Sequence, residues 1–279
     1  MPHLAPHGSP ATLVLPGGIR MRYARAGNGP AVVFVHGSLC DFRFWQPQLI
    51  GLAAHFDCIA PSLTHYWPGP HAASLPAFGW RAHVDELGAF IQRLGVAPVH
   101  LVGHSRGGYV AFHVAAHFPA LVRSLTLADP GGSLAGATPD GVPTPLEVKR
   151  LRSRAAALIA DGQVDAGLEL FVDSVSRPGT WKKSPHAFRL MAADNAHTLA
   201  MQLRDALPPY AEADAQHVTC PTLLIDGEKS PKAFHANVDA LSRWMPNATR
   251  ITIPGASHGM NLARPGAFNR HLEAFFRSV

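Results

Sequence analysis

The 279-residue sequence has few cysteines, few charged residues and no long apolar run. Its three cysteines cannot all pair and show no C-x-x-C spacing, which argues against a disulfide scaffold and a cysteine-rich zinc site. No apolar run approaches the roughly 20 residues that a membrane span needs, and residues 1–10 show no signal-peptide pattern. The sequence therefore predicts a cytoplasmic protein with no membrane partner.

Acidic residues are scarcer than basic ones, and this scarcity sets the net charge. The charge of +5 arises from 24 Lys and Arg against 19 Asp and Glu, without dense basic runs, so we expect no nucleic-acid partner. Apolar residues, by contrast, make up 47% of the chain, and histidine is abundant at 17 residues. The apolar share suffices for one large domain or for a domain with an inserted cap.

Short β-branched and apolar runs alternate with helical stretches along most of the chain. Runs that are apolar throughout and separated by helices are typical of a mostly parallel sheet covered by helices on both faces, which predicts an α/β fold. The predicted strands are residues 12–15, 19–24, 31–35, 58–60, 99–102, 122–128, 222–225 and 250–253. The predicted helices are residues 44–55, 80–94, 107–118, 236–244 and a terminal helix that ends near residue 275.

The alternation breaks between residues 131 and 217, where helical stretches occur without a convincing strand. We expect this segment to form a helical cap inserted after the sixth strand, above the carboxyl edge of the sheet, where open α/β sheets bind ligands. Residues 1–130 and 218–279 would then form the core domain.

The most informative motif is Gly103-His104-Ser105-Arg106-Gly107, which joins an apolar strand directly to a helix. In this G-x-S-x-G turn the serine takes a strained backbone, and side chains two residues before and after it would collide, so glycine is needed at both places. The serine oxygen is thereby exposed above the sheet at a helix N-terminus. Ser105 is therefore the candidate nucleophile.

A serine hydroxyl needs a base within hydrogen-bond reach to act as a nucleophile at neutral pH. His258 follows the last predicted strand and lies at the same sheet edge as Ser105, so it is the candidate base. His104, although adjacent to Ser105, points away from it in such a turn and is expected to be structural. The amides of Ser38 and Arg106 are the candidate donors to the oxyanion.

The three motifs together resemble the α/β-hydrolase superfamily. The resemblance rests on His36-Gly37, on the turn around Ser105 and on Gly255-Ala256-Ser257-His258, and it spans nearly the whole chain. It implies an α/β-hydrolase fold and a serine nucleophile, with no metal and no organic cofactor. Ser105 argues against the relatives that use a carboxylate nucleophile at this turn.

The third member of the expected triad departs from the family pattern. The family usually carries its acid in a G-x-x-D turn after the cap, but that position here is Ser230. A serine cannot stabilise an imidazolium as a buried carboxylate does. Asp129, at the end of the sixth strand, is the preferred alternative, while Asp226 and Glu228 remain candidates.

The substrate pocket is less well defined by the sequence. We expect contributions from the loop after the fourth strand and from the cap, with Leu39, His65, Tyr66, Trp181 and Met191 as candidates. Lys149, Arg150, Arg152 and Arg154 are interpreted as the solvated side of a cap helix. His113 and His117 have the spacing of two metal ligands, but no third ligand is implied, so no metal site is expected.

These observations predict a serine hydrolase of small carboxylic esters or lactones, acting as a monomer or homodimer. The alternatives are hydrolysis of a carbon–carbon bond, cofactor-free lyase chemistry, or binding of a small ligand without turnover.

Overall fold

A computed structural model describes residues 10–69, 75–136 and 140–279. In that part of the chain it contains one eight-stranded sheet, with a strand at each of the eight predicted places. The strands are β1 (Ala11–Val14), β2 (Arg20–Ala26), β3 (Ala31–Val35), β4 (Asp57–Pro61), β5 (Val99–His104), β6 (Val122–Ala128), β7 (Thr222–Gly227) and β8 (Ala248–Ile253). The segment assessed for a signal pattern lies outside the described residues, apart from Pro10.

The sheet is mostly parallel, as predicted. Its strand order is β1-β2-β4-β3-β5-β6-β7-β8. The pairs β1–β2 and β2–β4 are antiparallel, and every other neighbouring pair is parallel. The carboxyl ends of β5, β6 and β7 therefore meet at one edge, and the loops that follow them are brought together there.

Helices flank the sheet, and six of them lie between β6 and β7 in the described chain. The helices are α1 (Gln46–Leu52), α2 (Trp80–Leu94), α3 (Arg106–His117), α4 (Pro145–Ala160), α5 (Val164–Val175), α6 (Thr180–Lys183), α7 (His186–Asp194), α8 (Thr198–Gln202), α9 (Glu212–Gln216), α10 (Lys232–Trp244), α11 (Met260–Ala263) and α12 (Pro265–Arg277). We call α4–α9 the helical insertion.

One predicted helix is shorter than expected. The chain from Phe42 to Trp45 forms a 3-10 turn, and the α-helix begins only at Gln46. The side chain of Asp41 accepts a hydrogen bond from the Arg43 amide and so stabilises the tighter turn at this end.

The strands are apolar throughout because each face of the sheet packs against a different helical layer. In β3, Val33 and Val35 belong to the core shared with α2, α3 and α10, whereas Val32 and Phe34 belong to the core shared with α1 and α12. Side chains in a strand alternate between faces, so burial on both faces requires apolar residues at every position. The helical insertion has a third, smaller apolar core of its own.

Every helix within residues 10–69, 75–136 and 140–279 is too short or too polar to span a membrane.

Candidate active site

Ser105 occupies a strained turn between β5 and α3, with φ 53° and ψ −123°. A side chain at Gly103 would place its Cβ 2.4 Å from the Gly107 carbonyl oxygen, and one at Gly107 would lie 2.3 Å from the His36 carbonyl oxygen. Real Cβ atoms do not approach backbone oxygens so closely, so both positions require glycine. The turn therefore has the geometry expected from the sequence, with Ser105 immediately before the N-terminus of α3.

His258 and Asp129 meet at the same edge of the sheet. The Nδ1–H of His258 donates to Oδ2 of Asp129 at 3.1 Å, although the two residues are 129 positions apart in the chain. Both side chains are buried, that of Asp129 completely. A carboxylate can only accept a hydrogen bond, which assigns the proton of the neutral ring to Nδ1 and leaves Nε2 as the nitrogen that can accept a proton.

Ser230, at the position where the family pattern would place an acid, contacts this pair directly. Its hydroxyl donates to Oδ2 of Asp129 at 2.6 Å and accepts a hydrogen bond from the Gly227 amide. The residue that replaces the usual acid therefore holds the carboxylate that contacts His258. No sequence pattern predicts this bond, because the two residues are 101 positions apart.

The buried surroundings oppose charge on both groups. Burial raises the pKa of the Asp129 carboxyl, and the hydrogen bond from Ser230 acts in the opposite direction. Burial also lowers the pKa of His258, so its imidazole is neutral at neutral pH. A neutral imidazole is the form in which histidine accepts a proton.

The other two candidate acids lie in different networks. Asp226 accepts hydrogen bonds from Thr252, His235 and Arg250. Burial raises its pKa, but the hydrogen bonds from these three partners outweigh that effect, and the net shift is downward. The Glu228 carboxylate accepts from the Gly255 amide at 2.6 Å. Among the three candidates, Asp129 is the carboxylate that contacts His258.

Two further aromatic rings hold His258 in place, and the sequence pointed to neither contact. Phe234, from α10, stacks on the imidazole with a ring-centroid distance of 4.0 Å and an interplanar angle of 17°. The Nε2–H of His104 donates to the backbone carbonyl of His258 at 2.7 Å. His104 thus supports the loop that carries His258, consistent with the structural role expected for it.

Ser38 and Arg106 line the same cavity as Ser105, and their backbone amides have no hydrogen-bond partner in the described chain. Arg106 is the first residue of α3, and the amides of a first helical turn have no intrahelical acceptor. No carbonyl of the described loops accepts a hydrogen bond from the Ser38 amide. The Ser38 hydroxyl donates to Oε1 of Gln202 at 2.8 Å, which ties the loop after β3 to α8 of the helical insertion.

The Arg106 side chain is buried and forms an ion pair with Asp205. Asp205 also accepts a hydrogen bond from the Trp80 amide at 2.9 Å. Asp205 thereby neutralises the guanidinium of Arg106. The backbone amide of Arg106 takes no part in this ion pair.

A cavity of about 200 Å³ opens beside Ser105. Its wall includes apolar side chains from the helical insertion and from α10, among them Val148, Leu151, Phe171 and Phe234. The cavity can therefore hold the apolar part of a small substrate next to the serine.

The five residues expected in the substrate pocket pack in other parts of the described chain than the wall of the cavity beside Ser105. Leu39 and Trp181 belong to the core of the helical insertion, and Met191 is packed in the core shared with α12. Tyr66 is buried against the His36 ring, and the His65 side chain bonds to the Pro76 carbonyl. None of the five lines the cavity beside Ser105, and their assignment to the pocket stays a prediction.

No group of three His, Cys, Asp or Glu side chains in the described chain could hold a metal ion. His113 and His117 do lie near each other on α3, with ring centroids 5.7 Å apart.

Two curated proteins resemble this chain over most of its length. The protein assigned as carbamate hydrolase RutD in Pantoea ananatis is 27% identical over 81% of this chain and 80% of its own length. The 2-(acetamidomethylene)succinate hydrolase of Mesorhizobium japonicum is 26% identical over 89% of this chain and 88% of its own length.

Solved structures show the same fold at lower identity. An esterase from Thermogutta terrifontis superposes with a TM-score of 0.79 at 22% identity, covering 97% of this chain and 99% of its own. The enol-lactonase of Burkholderia xenovorans LB400 gives a TM-score of 0.75 at 16% identity, covering 96% of this chain and 100% of its own. The family model described as the alpha/beta hydrolase family matches residues 32–271. The chain belongs to the alpha/beta hydrolase family.

Proposed function

We propose that this protein is a serine hydrolase of small carboxylic esters or lactones. The observation that carries the proposal is the buried hydrogen bond between Nδ1 of His258 and the Asp129 carboxylate, at the sheet edge that also presents the strained Ser105. This arrangement supplies a nucleophile, a neutral base and a group that orients the base. The cavity beside Ser105 supplies room for a small substrate.

The reaction would proceed in two halves. Nε2 of His258 accepts the Ser105 proton while the serine oxygen adds to the substrate carbonyl, and the proton then passes to the leaving alcohol. Water repeats the sequence on the acyl-enzyme and releases the acid. The carboxylate of Asp129 stabilises the imidazolium that forms in each half. The amides of Ser38 and Arg106 donate to the oxyanion.

The helical insertion would act as a cap domain, residues 131–217, on a core of residues 1–130 and 218–279. The support is that the cavity wall combines Ser105 from the core with residues of α4 and α5. The bond between Ser38 and Gln202 would couple the cap to the oxyanion loop.

Hydrolysis of a carbon–nitrogen bond is a second candidate. The two curated relatives carry the names of a carbamate hydrolase and of an acetamido-substituted succinate hydrolase. The same three side chains would serve such a reaction, because attack on an amide or carbamate carbonyl also forms an oxyanion. Matched acetate esters and acetamides of one leaving group would separate the two activities.

Covalent labelling tests the proposed nucleophile. A fluorophosphonate probe should label the wild-type protein and fail to label Ser105→Ala. The Ser242→Ala variant is a matched control, because the Ser242 hydroxyl only bonds to the Asp239 carbonyl of its own helix. Equal labelling of wild type and Ser105→Ala, or hydrolysis of 4-nitrophenyl acetate by Ser105→Ala at the wild-type rate, would contradict the proposal.

A further inference from the structure

Arg152 is a cation in the wall of the cavity beside Ser105 that has no partner within the described chain. It lies on α4 and also lines a second cavity of about 340 Å³, which shares Gln202 with the first. Neither a hydrogen bond nor an ion pair reaches its guanidinium from any described residue. Arg152 thus belongs to the walls of both cavities.

The sequence-based interpretation of Arg152 as part of a solvated face is wrong for this residue. Arg150 and Arg154 are exposed, but Arg152 is half-buried. It falls on the same face of α4 as Val148, Leu151 and the buried Ala155, since residues three and four apart share one side of a helix. The helix therefore turns this arginine toward the cavity instead of toward solvent.

The nearby carboxylates are already engaged. Glu147 also lines the cavity, but its carboxylate accepts from the amide and the hydroxyl of Thr144, at 2.7 and 2.8 Å, in the capping box of α4. Asp205 is paired with Arg106. Neither carboxylate contacts Arg152, so its guanidinium has no counter-ion in contact with it among the described residues.

An uncompensated charge in a partly buried position is unfavourable in the free protein. Burial lowers the pKa of Arg152, and the neighbouring charge of Arg106 lowers it further. Both effects favour the approach of an anion, which would supply the missing counter-charge and hydrogen-bond acceptors. A guanidinium matches the planar, two-oxygen geometry of a carboxylate.

We propose that the substrate carries a carboxylate, and that Arg152 binds it while Ser105 attacks an ester carbonyl elsewhere in the same molecule. This inference rests on the proposed function and narrows its substrate class. One free guanidinium balances one carboxylate, and the other arginine of the wall beside Ser105, Arg106, is already paired with Asp205. Arg152 is thus a specificity-determining residue that acts on the part of the substrate away from the scissile bond.

Two matched pairs of esters test the proposal. The acyl-side pair is mono-4-nitrophenyl adipate and 4-nitrophenyl hexanoate, and the leaving-group pair is 4-acetoxybenzoate and its methyl ester. In at least one pair, the wild type should prefer the carboxylate-bearing ester by tenfold or more in kcat/KM, since a hydrogen bond to a charged group contributes about that much. Arg152→Gln should bring this ratio close to one.

Arg154→Gln is the matched control, because it removes the same charge from an exposed position on the same helix. It should keep the wild-type ratio. No preference for the carboxylate in either pair, or equal loss of preference in both variants, would overturn the inference and leave the proposed function standing.

If no ester is hydrolysed, that result counts against the proposed function. A binding measurement then tests by itself whether Arg152 binds a carboxylate. Titration calorimetry of adipate into Ser105→Ala should show saturable binding, and adding Arg152→Gln should weaken it by at least tenfold. Equal binding with and without Arg152, or tighter binding of inorganic phosphate than of adipate, would overturn the carboxylate assignment.

Thermal unfolding distinguishes a ligand-binding role from a structural one. Arg152→Gln should melt at the wild-type temperature or above it, because it removes an uncompensated charge from a partly buried site. A markedly lower Tm would show that Arg152 stabilises the fold, which would contradict the proposal.

Discussion

Replacing Asp129 with asparagine removes the carboxylate from His258 at little cost in volume. The carboxylate oxygen Oδ2 lies 3.1 Å from Nδ1 of His258 in a fully buried position. An asparagine NH₂ group can donate to Nδ1 and so favour the tautomer in which Nε2 carries the proton and cannot act as a base. Asp129→Asn is therefore expected to impair catalysis while it preserves packing.

The expected loss follows from the burial of the pair. Removing one partner of a buried ion pair costs about 3–5 kcal/mol, here at the stage where His258 becomes an imidazolium. At about 1.36 kcal/mol for each tenfold change in rate, kcat should fall by about two to four orders of magnitude.

The position of Ser230 allows a compensating substitution. Its Oγ is 2.6 Å from Oδ2 of Asp129, so an aspartate at position 230 would place a carboxylate near the same point. The double variant Asp129→Asn/Ser230→Asp should regain at least tenfold in kcat over Asp129→Asn alone. Such recovery would show that His258 needs a carboxylate at this point but does not need it to come from β6.

The assay is steady-state hydrolysis of a 4-nitrophenyl ester, with thermal unfolding of each variant. Asp226→Asn is the matched control, because Asp226 is also fully buried at the end of a neighbouring strand but contacts a different histidine, His235. Its kcat should stay within about fivefold of wild type. Activity of Asp129→Asn within tenfold of wild type, when Ser105→Ala is inactive, would refute the assigned role of Asp129.

Three further predictions concern stability. Burial lowers the pKa of His36 to about 4 and of His104 to about 3, so both side chains bind protons more weakly in the folded than in the unfolded protein. The free energy of unfolding, measured with urea, should therefore fall as the pH drops below about 6.5, the ordinary pKa of histidine. The two groups together should contribute about 3 kcal/mol of this loss at about pH 5.5. His36→Gln should show a smaller loss of stability on acidification than the wild type, and an identical pH dependence of the two proteins would contradict this. Asp226→Asn should lower the free energy of unfolding by about 2 kcal/mol, because it weakens the charged hydrogen bond with Arg250; an unchanged midpoint would count against that bond. Gly107→Ala should lower it by at least about 2 kcal/mol, since its Cβ would collide with a backbone oxygen; a fully stable, active variant would disprove this steric reasoning.

The acid prediction for His36 has a specific structural cause. Nε2 of His36 accepts a hydrogen bond from the Leu63 amide at 3.1 Å, and a protonated ring could not accept it. Protonation would therefore break this bond in addition to placing a charge in the core. Much of the unusual histidine content of the chain is of this kind, with neutral rings packed in the interior at His83, His100 and His113 as well.

Local features of the chain made the fold predictable. Burial on both faces makes a strand apolar at every position, so β3 and β5 to β7 could be recognised one by one. The turn at Ser105 was equally accessible, because the need for Gly103 and Gly107 depends on a few neighbouring backbone atoms. The sequence thus determined that a mostly parallel sheet forms, the order of strands and helices along the chain, and the candidate nucleophile.

Tertiary structure decided the contacts between distant parts of the chain. Asp129 reaches His258 across 129 positions, Ser38 reaches Gln202 across 164, and no pattern within a strand or helix encodes either pair. The same holds for Arg152, which lies between exposed arginines in the sequence but lines a cavity in the folded chain. Periodicity and local steric limits act over a few residues, so the sequence alone shows them. The pairing of a carboxylate with His258 and the exposure of a cation to the cavity depend on how separate helices and strands pack.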